Sequence, residues 1–192
     1  MAAGAVLLIS GVHDEEPPRP SARASSTSAH PAPPPTVRPL PPADPDRIRI
    51  AAIGVDAPMT RVGLDATGAL RTPPPEEPGL AGWYGDGIAP GSAGTAVVTG
   101  HVDTPAGDPG VFYDLGALTE GSTIEIHRAD RRTAVFTVHA IELYDKEQFP
   151  SKKVYGSSGR PELRLITCGG GYTKDTGYLG NVVVYATLTS VT

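Results

Sequence analysis

Glycine and proline punctuate this chain so densely that long helices have no room to form. Among 192 residues stand 23 Gly and 21 Pro; proline breaks a helix interior and glycine weakens it. Between the breaks lie short runs. Residues 47–53 alternate apolar and polar with period two. Residues 58–62 continue that pattern after a turn, and residues 64–70 read as a hairpin turning at 65–68. Residues 95–99 form a short apolar strand. Residues 122–127 and 133–141 form an antiparallel pair around Ala129 and Asp130. Residues 163–167 and 182–188 complete seven or eight strands, with space for brief helices near 111–118 and 149–155. This spacing predicts an all-β barrel or sandwich.

Residues 14–45 have another character. They contain Pro17-Pro18, Pro33-Pro34-Pro35 and Pro41-Pro42, with almost no large apolar side chains between them. Such a stretch cannot bury enough surface to offset its ordering entropy, so a disordered or polyproline-like linker is expected. Ahead of it, residues 1–13 are mostly apolar but well short of the roughly 20 residues that a membrane-spanning helix needs. They read as a frayed terminus or, the favoured reading, as the outer end of a signal or anchor helix. A stiff polar spacer after an apolar run suits a surface enzyme tethered to a membrane. The folded domain is then expected over 46–192.

Charge and cysteine content narrow the chemistry. With 16 basic and 21 acidic residues the net charge is -5, which gives no electrostatic footprint for nucleic acid. One cysteine excludes an internal disulfide framework and a multi-thiolate metal cage. Residues 91–94 lack the G-x-S-x-G elbow, and no glycine-rich loop has a phosphate-binding pattern. His101 and Asp103 gather no further ligands, so neither a metal nor a cofactor is expected.

Cys168 follows the apolar run 163–167 and precedes Gly169-Gly170-Gly171. A thiol at a strand exit is open to a ligand, whereas a lone cysteine is more often a small buried hydrophobe. His101 repeats that placement: the run 95–99 passes Gly100 and then delivers an imidazole, in Thr99-Gly-His-Val-Asp-Thr104. An imidazole can take the thiol proton and later protonate a leaving amine. His127 and His139 lie inside strand runs and read as structural. Asp103 is expected to bind a backbone amide rather than orient His101. Trp83 and Tyr84 are read as a barrel-packing pair.

These residues carry a resemblance. His101 in T-G-H-x-D-T, then Leu165-Ile-Thr-Cys168 67 positions after it and the closing Asn181-Val-Val-Val-Tyr-Ala186, resemble the sortases, in detail the actinobacterial class usually called class F. The resemblance spans roughly 46–192. It implies a closed eight-stranded β-barrel with one or two short helices. It also implies a monomeric cysteine transpeptidase, secreted or on the extracellular face of the membrane. Cys168 would attack an LPxTG-like sorting signal to form an acyl-thioester, and His101 would protonate the leaving amine and then deprotonate an amine acceptor such as a cell-wall precursor. The segment 149–158 would shape specificity. Nothing like the aromatic lid motif of pilus-building sortases precedes His101.

One departure stands out. Sortases carry an arginine on or just before the last strand, and no arginine follows Cys168 here. The family position falls at Leu179 or Asn181. Asn181 or Thr167 would have to support the oxyanion or substrate, with Lys174 as a possible loop charge. A catalytically impaired barrel that binds surface peptides is therefore the alternative reading. Cell-wall amidases and L,D-transpeptidases fit less well, because their Cys and His patterns are absent.

Overall fold

In the computed structural model, which describes residues 16–21, 37–175 and 177–192, the period-two runs become strands of one closed sheet. The strands are β1 (Pro45–Ile50), β2 (Val55–Val62), β3 (Ala81–Tyr84), β4 (Gly94–Gly100), β5 (Thr123–Arg128), β6 (Thr133–Asp145), β7 (Pro161–Thr173) and β8 (Gly177–Val191). Their order around the barrel is β1-β2-β3-β4-β7-β8-β6-β5, with β5 closing on β1. One α-helix, α1 (Ser151–Tyr155), and three 3-10 turns at Ala51–Ile53, Tyr113–Ala117 and Lys146–Gln148 complete it. The expected eight-stranded all-β barrel is the observed fold.

Alternation decides which side chains fill the barrel. Ile48, Ile50, Ile124, Ile126, Phe136 and Leu163 are fully buried inside it, each contributing about 1.5–3 kcal/mol by leaving water. In β7 and β8 the runs 161–167 and 182–186 are buried on both faces. A second apolar cluster explains this: Val97, Val154, Ile166, Val183 and Tyr185 pack on the outer face, beneath α1. Strands covered on both sides read as continuous apolar runs.

Several local expectations are corrected. Residues 51–53 are not strand; β1 ends in a 3-10 turn capped by Gly54 in the left-handed region, a conformation glycine adopts without strain. Trp83 packs in the core as expected, while Tyr84 packs on the outer cluster and lines the groove; the strand they lie on, β3, was not expected, and it pairs in parallel with β2 and antiparallel with β4. The hairpin expected over 64–70 is present in minimal form: the turn at 65–68 carries the Asp65 N–H to the Ala69 carbonyl at 2.8 Å, and one antiparallel bridge joins Leu64 to Leu70.

The chain is also anchored ahead of β1. Val37 and Leu40 pack against the core, and the Leu40 N–H donates to the Gly91 carbonyl at 2.8 Å. The Arg128 side chain is fully buried and donates to the carbonyls of Pro41 and Pro90. A buried guanidinium requires such acceptors, so this end of the proline-rich stretch is held on the barrel. Residues 1–13, read as a signal or anchor, lie outside the described residues, as do 14–15 and 22–36 of the linker.

Candidate active site

β4 and β7 run parallel and set the site. Gly94 faces Pro161 and Thr99 faces Ile166, so each rung joins a residue to the one 67 positions later. His101 and Cys168 stand at that same offset, two rungs past the last paired one. In each strand they share parity with the outward residues Thr99 and Ile166. Alternation therefore aims both side chains at the outer face, where they line one groove of about 890 Å³. The Thr167 hydroxyl donates to the Gly100 carbonyl at 2.9 Å and ties β7 to the end of β4.

Glycines on both sides make the thiol's position possible. β7 does not end at Cys168; it continues to Thr173, with the β7–β8 register shifting between Gly169 and Tyr172. Gly170 and Gly171 lie at φ 75° and 74°, and the extra length bulges away from the ladder just past the thiol. At the other exit, a Cβ on Gly110 would stand 2.5 Å from the His101 carbonyl oxygen. The loop after His101 thus folds back against the backbone, and the Phe112 N–H donates to that same carbonyl at 3.0 Å. Phe112 is fully buried and pins the loop.

His101 Nε2 lies 2.8 Å from the Pro73 carbonyl. A carbonyl can only accept, so Nε2 carries the hydrogen and Nδ1 keeps its lone pair in the neutral ring. Cys168 is half-buried, and burial pushes its thiol above the ordinary range; Asp103 adds to this while Lys146 pulls the other way. The resting thiol is therefore neutral at pH 7 and needs a base to become a nucleophile.

Asn181 is the direct cross-strand partner of Cys168. Side chains of such a pair rise from the same face, and Asn181 lines the groove beside the thiol. Thr167 has the opposite parity, and its hydroxyl is already committed to Gly100. Asp103 does not orient His101: it accepts from the Tyr178 hydroxyl at 2.5 Å, linking the β4 exit to β8. Arg164 shares the outer face with Cys168 but pairs with Glu162 at 2.6 Å and lies over the Tyr185 ring. Lys174 does not line the groove.

Sequence reading missed Lys146. It opens the 3-10 turn after β6, right after Asp145, whose β8 partner Gly180 adjoins Asn181. Among the described residues lining the groove it is the sole Lys or Arg. Its signal lay in tertiary proximity that spacing alone cannot give. Phe149 and Tyr155, rings in contact, line the groove together with Leu64 and Leu70.

A family model for the sortase domain matches residues 48–189. The chain belongs to the sortase family. That family consists of cell-surface cysteine transpeptidases that act on sorting-signal peptides and amine nucleophiles. Solved sortases share the barrel at low identity. The SrtA sortase of Actinomyces oris is 20% identical with a TM-score of 0.57, over 86% of this chain and 89% of that one. Sortase A of Listeria monocytogenes is 16% identical with a TM-score of 0.54, over 78% and 90%. Sortase C-1 of Actinomyces oris is 21% identical with a TM-score of 0.57, over 77% and 76%. At these identities the likeness speaks to the fold. No curated protein matches the sequence.

Proposed function

We propose that this sortase is catalytically competent and cleaves an LPxTG-like sorting signal through an acyl-thioester on Cys168. The observation that carries this reading is the common register offset that brings His101 and Cys168 to one face of one groove. His101 Nδ1 takes the thiol proton; the thiolate adds to the scissile Thr carbonyl carbon. The amide of Asn181 donates to the resulting oxyanion, and Thr167 supports the substrate indirectly by fixing β7 to the end of β4. The imidazolium then protonates the departing amine as the C–N bond breaks. An amine acceptor enters, gives its proton to His101 and displaces the thiolate. The thioester retains the energy of the cleaved peptide bond, so no other energy source is required.

The sequence details around His101, Cys168 and Asn181 favour the actinobacterial class F pattern. The proline-rich spacer suits a tethered, monomeric enzyme at the cell surface, with residues 1–13 as anchor or signal. Among the described residues no helix is long and apolar enough to cross a membrane.

The absence of arginine after Cys168 favours a second reading, a barrel that binds surface peptides without turning them over. Transfer of an LPxTG-type peptide to a glycine-based amine separates the two. The wild-type chain yields the amide product and Cys168→Ala does not. Peptide binding without product supports the second reading.

A further inference from the structure

Cys168 borders two hollows. Besides the groove, a second cleft shares Thr167, Cys168 and Tyr178 with it and is walled by Tyr113, Gly116, Leu143 and Val182. Residues 16–20, Glu-Pro-Pro-Arg-Pro, form its other wall, and the gap between them and the barrel holds only about 10 Å³, about the space of one water. The seat is close. A Cβ on Gly116 would stand 1.9 Å from the Pro18 carbonyl oxygen, so this backbone rests directly on the glycine. Three prolines among five residues hold the segment near the extended form in which it docks, which lowers the entropy lost on docking. Arg19 pairs with Glu16 within the segment.

We propose that residues 16–20 form a strap that closes the second approach to the Cys168 sulfur, so that the chain's own proline-rich segment competes with the amine acceptor. The competition part rests on the acyl-transfer reading. The donor peptide fills the groove, and the acceptor nitrogen must reach the thioester carbon by another line. In that step the new C–N bond forms, the C–S bond breaks, the amine proton passes to His101, and the sulfur takes a proton back. A seated strap blocks this line and keeps water off the thioester; a lifted strap opens it. The partner that this cleft fits is an extended, proline-rich segment.

The test uses the full chain and two variants, Gly116→Ala, which collides with the strap, and Pro17→Ser/Pro18→Ser/Pro20→Ser, which alters the strap alone. Alkylation of Cys168 by a bulky maleimide is measured with the groove filled by a saturating non-cleavable analogue of the donor peptide, so that only the second approach to the sulfur is left. A strap seated nine-tenths of the time slows it about tenfold, so both variants are expected to label about tenfold faster, with Tm lower by about 3–5 °C from loss of the docked strap. They are also expected to lower the apparent KM for amine while leaving acylation unchanged. Should Gly116→Ala fail to fold, the triple variant decides. Labelling at the wild-type rate overturns the strap. Faster labelling with unchanged amine KM overturns the competition with amine. Faster labelling without any transfer product leaves the strap standing and sinks the acyl-transfer reading instead.

Discussion

His101 and Cys168 lie two rungs past Thr99 and Ile166, at the same 67-residue offset that pairs every rung of β4 with β7. The separation seen along the chain is thus the register of two parallel strands, and the matched parity turns both side chains into one groove. His101→Gln keeps a polar side chain of similar size but loses the base for a thiol that burial holds neutral. It is expected to slow acylation by about 10²–10⁴-fold, measured by single-turnover thioester formation, with peptide affinity preserved. An unchanged rate removes His101 from the chemistry.

Asn181 faces Cys168 across β7 and β8. On the proposed role as oxyanion donor, its replacement by Ala is expected to lower kcat by about 10²–10³-fold while KM changes little. Leu179 has the same parity on β8 and is exposed. Leu179→Arg places a guanidinium fork at the family position and is expected to raise kcat. Steady-state kinetics on both variants checks this; a loss confined to KM in Asn181→Ala points to substrate contact instead.

Burial and Asp103 raise the Cys168 thiol, and Lys146 lowers it. Removing a positive charge disfavours the thiolate, so Lys146→Gln is expected to move the pH midpoint of Cys168 alkylation upward. Asp103→Asn is expected to move it downward. Lys146 is exposed, so its effect is expected to shrink as salt rises. The pH dependence of iodoacetamide alkylation reads all three.

The Thr167 hydroxyl is the donor to the Gly100 carbonyl where β7 meets the end of β4. Thr167→Val keeps the shape and leaves that carbonyl without its donor, at a cost of about 1–3 kcal/mol. Thermal unfolding is expected to fall by several degrees, about 2–4 °C for each kcal/mol, and acylation to slow as His101 loses its fixed distance from the thiol. An unchanged Tm places the hydroxyl outside the strand junction.

The strands that alternate or run apolar were legible because side-chain period follows burial: β5, β6 and the buried parts of β7 and β8 all carry that signature. β3 was not, since four residues beside Gly85 and Gly87 show too few periods, and its identity as a strand comes from pairing with β2 and β4. The imidazole was legible as a strand exit; the thiol was legible as the end of a buried run, but not as a position inside β7, which continues past it to Thr173. The roles of Asp103, Tyr178 and Lys146 were not, because they depend on how the β4 loop, β8 and the turn after β6 converge around Cys168. The anchoring of residues 37–44 by Arg128 was hidden for the same reason: a buried cation recruits acceptors distant in sequence.

The most direct test of the account is intact-mass measurement of the wild-type chain after exposure to a library of LPxTG-like peptides. The account expects a mass gain equal to the peptide portion ending at Thr, absent in Cys168→Ala and discharged when an amine is added. Peptide binding with no covalent gain, or an adduct that persists in Cys168→Ala, contradicts it.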